Sequence, residues 1–152
     1  MKKQRGFEIC KGYENSEINM PVRKTVGSAG YDMEAAEDCV IPVFKQGMKP
    51  VLIKTGLKAY MEKDEYLMLC NRSSNPSKKG LVLANSVGII DSDYYNNPDN
   101  DGHIMFAFYN FNQEETVIKK GEAIGQAIFH KFLVIDGDIS EGERVGGFGS
   151  TN

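Results

Sequence analysis

Apolar residues in this chain recur at every second position, in short runs cut by turn-forming residues. A strand sends successive side chains to opposite faces, so this period is that of half-buried β-structure. The clearest run is 51–61. Val51, Ile53, Thr55, Leu57, Ala59 and Met61 fall on one face, and Leu52, Lys54, Gly56, Lys58 and Tyr60 on the other. The alternation predicts one strand with a wet face. Segments 66–70 and 103–111 are apolar on both faces, as strands in the middle of a sandwich are. Further strands are expected at 7–10, 31–35, 39–43, 81–84, 116–119 and 126–135. Turn residues separate them at 45–47, 62–65, 75–80, 96–102, 112–115 and 119–121. No window holds a 3.6-residue apolar stripe for a dozen residues, which excludes long helices. Many short strands at this spacing predict an all-β sandwich, jelly roll or barrel, without internal repeats.

Composition narrows the function. The 152 residues suit one domain, and 41% hydrophobic with 26% charged is the balance of a folded globular chain. Lys plus Arg is 18 against 21 Asp plus Glu, a net charge of −3. That excludes a protein that coats nucleic acid, so any anionic ligand is held by a few placed groups. No apolar run approaches the ~20 residues that span a bilayer, so no membrane partner is expected. Lys2, Lys3 and Arg5 lead into no apolar stretch, so no secretory signal is expected. Cys10, Cys39 and Cys70 are widely spaced and read as buried thiols in a reducing, cytoplasmic setting. His103 and His130 lie near none of them, and the H-x-E with P-C-x-x-C pattern of zinc deaminases is absent.

Chemistry concentrates in four places. Asp91 follows the apolar Val87-Gly88-Ile89-Ile90, which puts a carboxylate at the core edge. There it suits a general base on water, or a structural hydrogen-bonded aspartate. Downstream, Asn97-x-Asp99-x-Asp101-Gly102 opens like a calcium loop, but position twelve is Phe108, which excludes an EF-hand. Residues 96–102 therefore read as a long solvated hairpin loop. Arg72-Ser73-Ser74 ends a strand with one guanidinium and two hydroxyls, suited to a phosphate or to capping a turn. The tail, 137–152, holds five glycines and little apolar content. It reads either as a frayed end or as an arm. As an arm, Arg144 supplies a bidentate donor, Ser150 a hydroxyl, and Phe148 a face for a base. No P-loop, nucleophile elbow or dinucleotide fingerprint occurs.

In order, these pieces resemble the five motifs of the trimeric dUTPases. They are Ala29-Gly30-Tyr31-Asp32-Met33, Arg72-Ser73-Ser74, and Asn85-Ser86-Val87-Gly88-Ile89-Ile90-Asp91-Ser92-Asp93-Tyr94. The fourth is Gly121-Glu122-Ala123-Ile124-Gly125-Gln126, and the fifth runs from Arg144 to Thr151. The resemblance implies an all-β jelly roll of the β-clip type over 1–136, with 137–152 as a flexible arm completing the active site. It implies a homotrimer whose three sites are built from all three chains. The implied reaction takes dUTP and water to dUMP and pyrophosphate, with Mg²⁺ carried by the triphosphate and no direct protein ligand. Such an activity keeps uracil out of DNA and supplies dUMP for thymidylate synthesis. By motif position Asp91 is the base that activates water, and Asp32 supports the metal-bound water or the hairpin. Tyr94 packs on the deoxyribose and excludes a 2′-hydroxyl. Asn85, Gly88, Ile89, Ile90 and Met105 bind uracil, mainly through backbone groups. Arg72, Ser73, Ser74 and Gln126 hold phosphates. Arg144 and Ser150, with Gly149, reach the γ-phosphate, and Phe148 stacks on uracil.

Three positions depart from the family pattern. Ala123 stands where the fourth motif usually has arginine, Arg144 lies four residues before Phe148 in place of five, and the loop 95–102 is longer. That loop suits a cover for the site or a contact for a regulatory protein partner. Two other classes share the fold: a dCTP deaminase-like enzyme, which needs a glutamate proton shuttle, and a non-catalytic nucleotide-binding regulator. Asp91 and Tyr94 follow the hydrolase pattern.

Overall fold

A computed structural model describes residues 2–147. It contains eleven strands: β1 (Gly6–Ile9), β2 (Tyr31–Glu34), β3 (Cys39–Ile41), β4 (Val51–Lys54), β5 (Leu57–Tyr60), β6 (Glu65–Asn71), β7 (Leu81–Leu83), β8 (Gly88–Asp91), β9 (Met105–Asn110), β10 (Thr116–Ile118) and β11 (Ala123–Lys131). One short helix, α1 (Asn75–Lys79), and one 3₁₀ turn, Ser92–Tyr94, complete the regular structure. A four-stranded sheet in the order β2-β11-β6-β8 faces a three-stranded sheet in the order β4-β9-β7. The two-stranded pairs β1-β5 and β10-β3 complete the roll. All strand pairs in these sheets are antiparallel. The architecture is the expected jelly roll.

Met33, Ile53, Leu67, Leu69, Ile90, Phe106, Phe108 and Ile124 fill the space between the sheets. A bulge in β11 between Ala123 and Gly125 turns both Ile124 and Gly125 inward. Glycine is required there, because a Cβ would run into the Phe106 ring and the Cys70 carbonyl.

Several expected elements differ in detail. The run 51–61 is two strands, because Gly56 adopts φ 71° and sends the chain from one sheet to another. β4 pairs with β9 and β5 with β1. In β5, Leu57 and Ala59 join the core and Lys58 is buried against Asn96 and Asp101, so the wet face is lost there. Leu52 and Lys54 keep it on β4. β11 stops at Lys131, since its partner β6 begins opposite at Glu65. Residues 75–80, read as a turn, form α1, with Pro76 in its first turn and Gly80 closing it at φ 64°. Of the three thiols only Cys10 is buried, and Cys39 and Cys70 are partly accessible. No helix among the described residues is long and apolar enough to cross a membrane.

The bend at Gly56 holds a buried titratable group. Gly56 N donates to His103 Nε2 at 2.9 Å, and His103 is only 8% exposed. Burial pushes this imidazole below its ordinary 6.5, because loss of water penalises the charged form, and the Lys54 charge acts in the same direction. A lowered folded pKa stabilises the fold fully above about pH 6.5, and the contribution fades as pH falls toward the folded value. The melting temperature is therefore expected to drop between pH 7 and pH 5. His103→Gln is expected to lose about 1–3 kcal/mol at pH 7 and to show a flatter pH dependence. A scan of thermal unfolding against pH checks both. An unchanged slope in the variant would assign the acid sensitivity to other groups.

Candidate active site

β8 alternates across its sheet, with Gly88 and Ile90 toward the core and Ile89 and Asp91 outward. Asp91 lies opposite Tyr66 on β6, and its side chain is 52% exposed. It is thus more solvated than a core-edge carboxylate. The chain then tightens into Ser92–Tyr94, which returns Tyr94 to the core at 6% exposure. The Tyr94 hydroxyl donates to the His103 carbonyl at 3.2 Å and accepts from Asn100 Nδ2 at 2.6 Å. Burial pushes this phenol above its ordinary value, so it stays neutral.

The tail lies over this end of β8. Arg144 Nη2 donates to Asp91 Oδ2, and Nε donates to Asp93 Oδ1 at 2.7 Å. The guanidinium sits 5.9 Å from the Tyr94 ring centroid. Gly146 O accepts from Asn97 Nδ2 at 2.7 Å, and Gly147 N donates to Asp99 Oδ2 at 3.2 Å. As far as Gly147 the tail is therefore held against the body. Phe148, Gly149 and Ser150 lie outside the described residues. The loop 96–102, read as a solvated hairpin loop, is corrected here. Asn97 is 4% exposed, and Lys58 Nζ pins the loop through Asn96 Oδ1 at 2.6 Å and Asp101 Oδ2 at 2.9 Å. A sequence of Asn, Asp and Pro signals a loop but not what the loop covers.

The groups assigned to uracil are spread over the turn before β8, which holds Asn85, over β8 itself, which holds Gly88, Ile89 and Ile90, and over the start of β9 at Met105. Ala84 N donates to Ala107 O at 2.9 Å, extending the register Leu83↔Phe108. Beyond Ala84 the chain turns, with Ser86 at φ 62° and its N donating to Leu83 O at 3.3 Å, while Met105 opens β9 opposite Lys54 on β4. Ile89 and Ile90 point to opposite faces, so one flat ligand meets their backbone and not both side chains. β8 is the edge of its sheet, which leaves part of its N–H and C=O row facing outward.

A second cluster sits at the far corner of the same outer face. Asp32 on β2 pairs with Gln126 on β11, which pairs with Cys70 on β6. Gly30 leaves the space that the Gln126 amide fills, since a Cβ there would collide with Oε1. Asp32 is 25% exposed and has Lys24 Nζ at 3.7 Å. Beyond β6 the chain bends through Arg72, Ser73 and Ser74, and Arg72 Nη1 donates to Ala123 O at 3.2 Å. Ala123, where arginine is usual, thus meets Arg72 through its backbone. Lys79 Nζ pairs with the neighbouring Glu122. Asn75, 1% exposed, was not singled out in the sequence. Its N donates to Arg72 O at 3.1 Å, and its Nδ2 to Asn71 Oδ1 at 2.7 Å and Ile124 O at 2.9 Å. It ties the Arg72–Ser74 bend to β11. Only its place before a proline marked it, and that reads equally as a turn.

No three His, Cys, Asp or Glu side chains converge to hold a metal among the described residues. One half-buried carboxylate, Asp32, does suit an ion that keeps several waters and takes its other ligands from phosphates, as Mg²⁺ does.

Fold and clusters together define a class: jelly-roll proteins with phosphate-suited groups and a solvent-facing carboxylate on one sheet. A family model described as dUTPase matches residues 16–151. A Lactococcus lactis deoxyuridine 5′-triphosphate nucleotidohydrolase is 57% identical over 151 residues, covering 98% of both chains. The Burkholderia ambifaria protein of the same name is 37% identical, covering 87% of this chain and 88% of that one. The crystal structure of a Streptococcus mutans dUTPase has TM-score 0.80 and 48% identity, covering 87% of this chain and 99% of that one. The dUTPase from phage phi11 of S. aureus, 17% identical over 92% of this chain and 97% of its own, shares the fold at TM-score 0.70. This chain belongs to the dUTPase family.

Proposed function

We propose that the chain hydrolyses dUTP to dUMP and pyrophosphate, keeping uracil out of DNA and supplying dUMP for thymidylate synthesis. The observation that carries this reading is the exposed carboxylate of Asp91 at the end of an edge strand, within a chain 57% identical to a dUTP nucleotidohydrolase. Asp91 takes a proton from water, the water oxygen attacks the α-phosphorus in line, and the bond to the β-phosphate bridge breaks. Pyrophosphate leaves. Asp32 would hold Mg²⁺ brought by the triphosphate through water, and that ion would supply charge neutralisation. Arg72, Ser73, Ser74 and Gln126 bind the phosphates. As substrate enters, Arg144 exchanges Asp91 and Asp93 for the γ-phosphate and uncovers the Tyr94 face for the deoxyribose. Asn85, Gly88, Ile89, Ile90 and Met105 form the uracil slot, where a backbone donor aimed at O4 disfavours cytosine. A buried donor left unpaired discriminates more strongly than a methyl-sized clash, worth about 1–3 kcal/mol. Phe148, Gly149 and Ser150 close the site.

Geometry supports a site shared between chains. Gln126 pairs with Cys70, and Asp91 pairs with Tyr66 four residues away along β6. The Asp32 and Asp91 corners are therefore about 13 Å apart along the strands and about 14 Å apart across them. One triphosphate does not bridge that diagonal. The face between holds the partly exposed Met68 and Ile128 and the exposed Ile89, and the chain beyond β11 exposes Leu133, Val134 and Ile135. Apolar surface of this kind suits burial in a homotrimer, which brings Asp32 of one copy to Asp91 of another. In this reading 1–136 is the domain and 137–152 the arm. Three free thiols suit a cytoplasmic setting.

Pyrophosphate release from dUTP, dCTP, dTTP and UTP, each with Mg²⁺ and with EDTA, tests the activity. Release from dUTP alone, abolished by EDTA, is expected. Light scattering on the same sample is expected at three times the 16.9 kDa chain. Silence on all four nucleotides from a folded trimer would favour a non-catalytic regulator.

A further inference from the structure

We propose that Asn75 is a positioning residue for the reaction: it clamps the bend at 72–74 onto the β11 bulge and so fixes the groups that receive the phosphates. The inference rests on the reading that Arg72, Ser73 and Ser74 bind the phosphates of dUTP. It names the buried side chain that sets where those three groups stand.

The β6–β11 ladder ends at Asn71↔Gly125, because the chain leaves the sheet at Arg72. Beyond that point β11 has no main-chain neighbour on this side. In a regular strand successive carbonyls point to opposite neighbours, but the bulge between Ala123 and Gly125 breaks the alternation. Two successive carbonyls are taken by side chains of the same bend. Ala123 O accepts from Arg72 Nη1 at 3.2 Å, and Ile124 O accepts from Asn75 Nδ2 at 2.9 Å. The other hydrogen of the Asn75 amide goes to Asn71 Oδ1 at 2.7 Å, and Asn71 Nδ2 donates to Leu81 O at 2.9 Å. An amide ladder thus runs from β7 in one sheet to β11 in the other, with Asn75 in its middle. Asn75 N also closes the bend by donating to Arg72 O at 3.1 Å, which makes Ser73 and Ser74 the central residues of a four-residue turn.

Asn75 is 1% exposed, yet its Oδ1 has no partner among the described residues. A buried unpaired acceptor opposes folding, so the amide is held at this place for its donors. Ser74 occupies the N-cap place of α1 but makes no side-chain cap bond, and at φ −84°, ψ −17° it is outside the extended conformation of a capping serine. Its hydroxyl is left for a ligand. Arg72 is fixed through Nη1, which leaves the rest of its fork of donors for an anion. Gln126, also assigned to the phosphates, lies one residue beyond the bulge. The clamp therefore holds both halves of the phosphate corner to one point on β11.

Asn75→Leu tests this, since it removes both donors at similar volume. The KM for dUTP, from pyrophosphate release at saturating Mg²⁺, is expected to rise about tenfold with kcat changed less, the mark of lost binding and not of lost chemistry. The inhibition constant of deoxyuridine, which carries no phosphate, is expected to stay within about twofold of the parent. An unchanged KM in Asn75→Leu beside a raised KM in Arg72→Ala overturns the positioning role and leaves the phosphate reading intact. An unchanged KM in Arg72→Ala overturns the phosphate reading and this inference with it. Deoxyuridine and dUTP weakened alike make Asn75 a residue of the fold only, which also overturns the inference. Should Asn75→Leu fail to fold, Asn71→Ala, which removes one of the two anchors of the amide, is read by the same criteria.

Discussion

Asp91→Asn is expected to reduce dUTP turnover by a factor of about 10²–10⁴, the range a positioned general base supplies. The substitution keeps the shape of the side chain and removes the carboxylate that ends β8, leaving the exposed Asp93 beside it. Nucleotide affinity is expected to stay within a few-fold, because the uracil slot and the phosphate groups are other residues. Removing the charge also removes one of the two ionic partners of Arg144 and leaves the other, Asp93, in place. Pyrophosphate release measures the first effect, and calorimetric titration with a non-hydrolysable dUTP analogue measures the second. Turnover within a few-fold of the parent would show that Asp91 is not the base. Loss of binding together with turnover would make it a structural residue of the hairpin, the other role open to a carboxylate in that position.

Deleting residues 142–152 is expected to slow hydrolysis about a hundredfold, the scale on which misplacing catalytic groups acts. The assembly is expected to persist. The deleted segment includes Arg144, which the body holds through Asp91 and Asp93, and the Gly146–Gly147 pair held by Asn97 and Asp99. None of these contacts involves the exposed apolar surface on which association would depend. Steady-state rates and light scattering on the same preparation separate the two effects. Near-normal hydrolysis would return the tail to a frayed end. Loss of the trimer would instead make the arm part of the interface.

How far the sequence alone reaches depends on the range of the interaction. Strand positions were legible because alternation is local: β2, β7 and β10 fall within a residue or so of the expected segments. The same local signal failed at 51–61, where the pattern runs on through Gly56 but the pairing partners change. Periodicity reports which side chains share a face and not which strand lies alongside. The motif residues Asp32, Arg72, Asp91, Tyr94 and Gln126 were readable as a set because their order and types were present in one dimension. Their division into two corners of one sheet face was not, since it follows from the order β2-β11-β6-β8.

Asn75, Asn97 and the Lys58 anchor show the remainder. Each is a polar residue that local rules assign to a turn or a solvated surface, and each is buried with specific partners. Each has at least one partner far away along the chain, Asn96 for Lys58, Ile124 for Asn75 and Gly146 for Asn97, and nothing nearby in the sequence announces those. The sequence by itself determined an all-β chain, its strands, a carboxylate base candidate and the kind of ligand its groups suit. Tertiary structure alone decided which polar residues are buried, which loop holds the arm, and how far apart the two clusters lie. Burial and hydrogen-bond satisfaction are properties of what surrounds a residue, and that is set only when distant segments pack.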